Sequence, residues 1–191
     1  MNRRILLCLG CLALLSACSL QGMYNKVSMR QGEQAMVNRD FAAAAKAFEG
    51  PAQTADNGRE PGNPVAQYWL GTFLYHGTGV PMDRAAAVQW MSLAAASQYA
   101  PAELALGLWH IEGRGAPADP AEGARLVARA ADKDMPEAVM VLAGLTAQGV
   151  GVPRDQALAL SLFAKAQKLG YPVPANLLTP KGVARLAANR K

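Results

Sequence analysis

The sequence predicts an all-α fold built as a stack of repeated helix pairs, and three observations carry that prediction. First, one pattern recurs every 36 residues. Gly77, Gly113 and Gly149 align, as do Gly79, Gly115 and Gly151, then Pro81, Pro117 and Pro153, then Asp83, Asp119 and Asp155. Ala66, Ala102 and Ala138 precede them, with Leu70, Leu106 and Leu142. Ala85, Ala121 and Ala157 follow, with Ala94, Ala130 and Ala166. A fixed period of this size marks supersecondary units that cannot bury their apolar faces alone and must stack. Second, the chain is 51% hydrophobic but only 6% aromatic. It leans on alanine, the strongest helix former. Third, no long alternation of Val, Ile and Thr argues for strands. At 191 residues the chain is long enough for one ordinary domain.

Residues 1–17 read as a secretory leader, with Arg3 and Arg4 ahead of the apolar run Ile5–Leu15 and small residues Ser16 and Ala17 before Cys18. The run is too short for a membrane span, which needs about 20 apolar residues. The tetrad Leu15-Ser16-Ala17-Cys18 resembles the bacterial lipobox, and that resemblance implies cleavage before Cys18 and acylation of its thiol and freed amine. Ordinary cleavage, with Cys18 incidental, and an uncleaved anchor are the alternatives. The cysteine count agrees with lipidation: Cys8 and Cys11 leave with the leader, and Cys18 would be the single thiol left.

Residues 18–26 read as the lipidated cysteine and a tether. A drifted N-terminal repeat and loop follow over 27–64: one helix from Val27 to about Asn38, a second opened by Asp40-Phe41, and a Gly/Pro-punctuated loop from Asp56 to Pro64. Three full units are expected over 65–100, 101–136 and 137–172. In the first, Ala66, Leu70 and Phe73 form the buried stripe of helix A. Gly77 closes that helix in the left-handed conformation, Pro81 prevents its resumption, and Asp83 caps helix B. Helix B buries Val88, Met91 and Ala95, or Trp90 and Ala94. Residues 173–191 form a C-terminal capping helix started by Thr179-Pro180, with Val183, Leu186 and Ala187 on one side and Lys181, Arg185 and Arg190 on others.

Together Ala66-Gln67-Tyr68-Trp69-Leu70-Gly71, Gly77-Thr78-Gly79-Val80, Asp83, Ala87, Trp90 and Ala94-Ala95 resemble the Sel-one-like repeat, a short relative of the tetratricopeptide repeat. The resemblance spans about residues 65–172 and more loosely 27–60. It implies a right-handed α-solenoid of antiparallel helix pairs, used as an adaptor and without shared catalytic chemistry. Related lipoproteins serve polysaccharide export and envelope assembly. The sequence departs from the family at its tyrosine (Leu74, His110, Thr146), its tryptophan in the later units (Leu126, Leu162) and its closing glycine (Gln98, Asp134; Gly170 keeps it).

Candidate sites follow from exposure and residue type. The Gly-x-Gly pairs follow helices rather than a strand and repeat three times, which makes them architectural rather than phosphate-binding. His76 and His110 occupy non-equivalent positions without a ligand cluster, so no metal or cofactor is implied. His110 is expected to fill the tyrosine slot with one ring nitrogen hydrogen-bonded. Phe73 and Trp109 are expected in the core. Trp69 and Tyr75 are read either as inter-repeat packing or as anchors for a partner, since interfaces favour Trp, Tyr and Arg. Gln67, Thr72, Glu103 and Glu112 are polar candidates around the same surface.

Losing Arg3 and Arg4 with the leader lowers the 19 basic residues to 17 against 14 acids. So small an excess, not gathered into one block, argues against nucleic-acid binding. The expectation is a lipid-anchored scaffold that binds an envelope protein or peptide and is not an enzyme. Ser19, where an aspartate would signal inner-membrane retention, points to the outer membrane with the domain facing the periplasm. An envelope enzyme or ligand-binding protein acting on peptidoglycan or a β-lactam is the alternative, and a virulence or immunity factor occupying one target protein is a third.

Overall fold

The computed structural model describes residues 22–53 and 61–188, with the side chains of residues 187 and 188 left aside. Those residues are helical throughout their regular structure. Helix α1 covers residues 22–37. It is followed by α2 (Phe41–Ala52), α3 (Pro64–His76), α4 (Arg84–Ala96), α5 (Ala100–Glu112), α6 (Pro120–Ala131), α7 (Pro136–Gln148), α8 (Gln156–Lys168), a 3₁₀ turn (Ala175–Leu178) and α9 (Pro180–Ala188). From α2 onward each helix packs chiefly on its neighbours in sequence, which is the contact pattern of a stacked array. The leader, Cys18 and the C-terminal Arg190 lie outside the described residues. The tether read over residues 18–26 is corrected: the chain is already helical from residue 22, because Asn25, Lys26 and Val27 continue without a Gly or Pro that would stop a helix.

The turn between the two helices of a unit is built the same way three times. Gly77 has φ 67° and its amide donates to the Phe73 carbonyl. Thr78 then donates to Phe73 O at 2.9 Å and Asp83 to Leu74 O at 2.9 Å. The Asp83 carboxylate accepts from the Ala86 amide at 2.9 Å, satisfying an orphan donor at the start of α4. Asp119 and Asp155 repeat the cap on Glu122 and Leu158. The second glycine of each pair has a different task. A Cβ on Gly79 would sit 2.5 Å from the Ala42 amide nitrogen, and one on Gly115 2.9 Å from the Arg84 carbonyl; one on Gly151 would overlap the Pro120 carbonyl. Each turn is therefore seated on the first turn of the preceding unit's B helix (α2, α4 and α6), and a side chain there would lift it off.

Within a unit the two helices pack at backbone distance. Gly71 of α3 faces the Ala87 carbonyl and Met91 of α4, and Gly107 of α5 faces Gly123 of α6. In α7 the equivalent residue is Ala143, fully buried. The N-terminal pair obeys the same rule, with Gly32 of α1 against the Phe48 ring of α2 and Asp40 capping α2 through the Ala43 amide. Its turn is four residues shorter, since Gly32 and Asp40 are eight apart where Gly71 and Asp83 are twelve. The core runs unbroken along the array: Phe48 and Phe73 at one end, Met91, Ala94 and Leu106 next, then Val127 and Leu145, and finally Phe163, Val173 and Val183. In α4 the buried residues are Ala87, Met91, Ala94 and Ala95, while Val88 and Trp90 are half-buried. Thr179 caps α9 by accepting from the Gly182 amide at 3.2 Å, and Val183 closes the last core cluster.

The closing turn of each unit keeps its left-handed backbone even where the glycine is gone: Gln98 has φ 60° and Asp134 φ 56°, beside Gly170 at 90°. A left-handed non-glycine costs about 1–2 kcal/mol. Gln98→Gly is therefore expected to raise stability by about 1 kcal/mol. Gly79→Ala and Gly151→Ala are expected to lower it by about 2 kcal/mol or more, since strain and overlap add. Urea midpoints at unchanged slope measure both.

Candidate partner-binding surface

Helices α3, α5 and α7 are the A helices of the three units, and one stripe on each stays half-exposed after packing. Its central positions are Trp69 and Thr72 on α3, Ala105 and Leu108 on α5, and Val141 and Gly144 on α7. Residues three apart share a helix face, and the 36-residue period brings the three pairs into register. The stripe has an indole at one end, Trp69, and a bare backbone position at the other, Gly144. Trp69 is held edge-on to Tyr68 (5.4 Å between centroids) and against Phe73 (6.0 Å), so its exposed edge is rigid. The Thr72 hydroxyl is turned inward, donating to the Tyr68 carbonyl at 2.8 Å. Around Gly144 the space is empty: a Cβ there would meet nothing within 4 Å.

Gly144 also marks a displacement. Leu70-Gly71-Thr72 and Leu106-Gly107-Leu108 place glycine where the two helices of a unit touch. In the third unit the order is Leu142-Ala143-Gly144, which moves the glycine to the open face. A mid-helix glycine costs about 0.5–1 kcal/mol relative to alanine, and packing supplies no reason for it at this position.

Glu112 ends the α5 stripe, exposed and ion-paired with Arg114 at 2.8 Å. Three other candidates are corrected, because the structure places them inside. Tyr75 is 6% exposed and stacks on Trp109 of the next unit at 4.1 Å with the rings nearly parallel. Arg84 covers its ring at 5.4 Å. The Tyr75 hydroxyl is buried without a hydrogen-bond partner among the described residues, so ring stacking rather than a polar contact holds the side chain. Tyr75 is thus an inter-repeat staple. Phe73 and Trp109 are buried. His110 is half-buried, but its Nδ1 makes no hydrogen bond among the described residues, contrary to expectation.

Gln67 and Glu103, the remaining two, are fully buried and are equivalents in the joint between one unit's B helix and the next unit's A helix. The Gln67 amide donates to the Ala52 carbonyl at 2.9 Å, closing the end of α2. A carboxylate cannot donate, so the second joint uses a different arrangement. Arg129 donates to the Ala95 carbonyl at 3.1 Å and Lys133 to the Gln98 carbonyl at 2.7 Å. Glu103 is clamped between them, Oε1 2.5 Å from Arg129 Nη2 and Oε2 2.6 Å from Lys133 Nζ. The Arg129 contact has ion-pair distance without hydrogen-bond alignment. At the third joint the position holds buried Val139, and the bridge moves to the surface, where Lys165, the equivalent of Arg129, pairs with Asp134, the equivalent of Gln98, at 2.7 Å. Sequence reasoning assigned Gln67 and Glu103 to the surface because their residue types are usually exposed. The available signal was the pairing of Glu103 with two cations, Arg129 and Lys133, at positions where the first unit has Leu93 and Ser97.

Among the described residues no group of three or more His, Cys, Asp or Glu is arranged to hold a metal ion, and no helix is long and apolar enough to cross a membrane. Two shallow surface cavities adjoin α1, one against α2 (Tyr24, Ser28, Gln31, Lys46 and Glu49) and one against the start of α3 (Lys26, Arg30, Glu33 and Val65), and neither gathers a catalytic constellation.

The Sel1 repeat family matches residues 64–99, 100–135 and 136–171, more than half of the chain. The chain belongs to the Sel1 repeat family. Each matched unit begins one residue before the boundaries drawn from spacing. A Sel1 repeat protein from Oxalobacter formigenes is 24% identical and superposes with a TM-score of 0.65, covering 75% of this chain and 54% of that one. A protective antigen present in uropathogenic Escherichia coli strains and displaying an SLR fold is 19% identical, with a TM-score of 0.66, over 92% of this chain and 39% of that one. At such identities these likenesses establish the α-solenoid fold alone, and the chain spans only about half and two fifths of the two proteins' lengths. No curated protein matches it. Sel1 repeat arrays are scaffolds for protein interaction and are typically non-enzymatic.

The Glu103 clamp generates an asymmetric prediction. Removing both cations (Arg129→Ala with Lys133→Ala) strands a buried carboxylate and is expected to cost about 3–5 kcal/mol. Glu103→Val alone is expected to cost less, because Arg129 and Lys133 are each about a third exposed and can turn to water. Adding Glu103→Val to the double variant is expected to restore most of the loss, as Val139 does at the third joint. Chemical denaturation of the four proteins checks all three steps.

Proposed function

We propose that this chain is a lipid-anchored adaptor of the bacterial cell envelope, held to the outer membrane by acylated Cys18, facing the periplasm, and gripping another protein or an extended peptide along its A-helix stripe. The observation that carries the partner-binding half is the half-exposed stripe with Trp69 at one end and Gly144 at the other. It combines a rigid, half-exposed aromatic anchor with an unfilled notch that costs the helix stability and contributes nothing to packing. Rigid aromatic anchors and close-approach pockets are what dominate the energy of protein interfaces. The anchoring half rests on Leu15-Ser16-Ala17-Cys18 behind an apolar leader, and the membrane assignment on Ser19. Multiple acyl chains would bind stably where one chain binds only reversibly.

The two halves have separate tests. Cys18→Ser is expected to move the protein from the membrane to the soluble fraction and to abolish incorporation of radiolabelled palmitate. For the stripe, the full-length protein is used to recover partners from detergent-solubilised envelopes. Trp69→Ala is expected to weaken recovery of a specific partner by tenfold or more, the effect of losing about 1.4 kcal/mol at a hot spot. Gly144→Ala is expected to raise unfolding stability by about 0.5–1 kcal/mol while also weakening recovery. A Gly144→Ala protein that is more stable and binds as well as wild type would remove the notch from the reading.

A further inference from the structure

Exposed large apolar side chains are concentrated on the first helix. Of the seven among the described residues, four lie on α1: Met23 (56% exposed), Tyr24 (60%), Val27 (54%) and Val37 (77%). The buried side of α1 is satisfied by Ser28 and Gly32 against α2. On the opposite side Met23, Val27, Arg30, Gln34 and Val37 follow the i, i+4, i+7, i+11, i+14 spacing of one continuous stripe, and Lys26 flanks it. The first helix of an array is where no preceding unit covers the outer face, and elsewhere such a terminal face is polar. Here it carries three exposed apolar side chains (Met23, Val27 and Val37) among Lys26, Arg30 and Gln34, with Glu33 beside the two cations.

We infer that this face of α1 lies on the lipid surface, so that the solenoid docks on the bilayer through its first helix rather than hanging from a slack tether. The inference rests on the anchoring of Cys18 argued above. Two observations single out lipid as the occupant. One is reach. Met23 is five residues from Cys18, so its Cα lies within about 18 Å of the anchor in any conformation and about 7.5 Å if the chain is helical. A bilayer's polar layer is about 5–8 Å thick on each side, so this short connection lets the first turns of α1 reach the headgroup region. The other is charge. Lys26 and Arg30 carry long apolar stems beneath their charged heads, and can bury the stems while the heads meet anionic lipid. An interfacial helix with so narrow an apolar stripe binds weakly by itself, and the adjacent acyl chains supply the local concentration that makes such contact persistent. The solenoid then grows away from the membrane, since successive helices stack on α1 in order.

The test uses the full-length acylated protein in vesicles of phosphatidylethanolamine and phosphatidylglycerol. Single cysteines replace Met23 or Val27, with Leu93→Cys and Leu158→Cys as exposed references on the repeats, and each is labelled with an environment-sensitive fluorophore. Helicity by circular dichroism confirms folding, and intact mass reports acylation. The expected result is a blue shift at positions 23 and 27 with quenching by brominated lipid, and neither effect at 93 and 158. Acylated protein whose four probes all remain in water overturns the docking and leaves the anchor standing. A blue shift without bromolipid quenching means that protein, such as a second copy, covers the face, and overturns it as well. Absence of acyl chains overturns anchor and docking together.

Discussion

The whole array depends on one steric condition: the turn inside each unit must touch backbone of the unit before it. Gly79, Gly115 and Gly151 meet the first turns of α2, α4 and α6 at distances where no Cβ fits. This contact fixes the offset between successive units, and the offset decides which side chains of neighbouring helices meet. The stack of Tyr75 on Trp109, the seating of Gln67 beneath the Ala52 carbonyl and the clamp on Glu103 all follow from it. The condition is local in sequence but acts between units, so it propagates one geometry along the chain without long-range pairing. That is how a solenoid stays cooperative although each unit touches only its neighbours.

Much of this was legible because repetition converts weak signals into a strong one. A single Gly-x-Gly says little; three at a constant interval, each followed at the same distance by aspartate, specify a helix end, a turn and a cap. The apolar positions Ala66, Leu70 and Phe73 were equally plain, since helical periodicity shows directly in sequence. The N-terminal pair was harder to place. Its turn lacks the four residues that carry the glycine pair, and what preserves the pattern is Gly32, Asp40 and the alanines Ala42, Ala44 and Ala52.

What could not be read were the polar residues that the joints enclose. Gln67 and Glu103 carry groups that usually face water, and their burial is decided by partners distant in sequence. For Glu103 those partners, Arg129 and Lys133, lie 26 and 30 residues away, in α6 and in the turn that follows it. The three joints are bridged in different ways: by a buried amide on a free helix-end carbonyl at the first, by two cations that reach such carbonyls and clamp a buried carboxylate at the second, and by an exposed Lys165–Asp134 pair over buried Val139 at the third. A periodicity argument sees that these positions are equivalent and polar or apolar. It does not see that equivalence here means a shared obligation to the preceding helix.

The contrast between Ala143 and Gly144 shows how function separates from architecture within such a chain. Close packing of a unit's two helices favours a small residue, and Gly71, Gly107 and Ala143 all meet it. Once alanine holds that slot in the third unit, the fold requires no glycine one residue later. Thr72 and Leu108 show that the position accepts larger side chains without disturbing the stack. A residue that weakens its helix, touches nothing and lies at the open end of a stripe led by a fixed indole is best understood through what approaches from outside. The apolar stripe of α1 stands in the same relation to the fold. Neither feature helps the solenoid to form, and each is explained by a contact that the fold itself does not make.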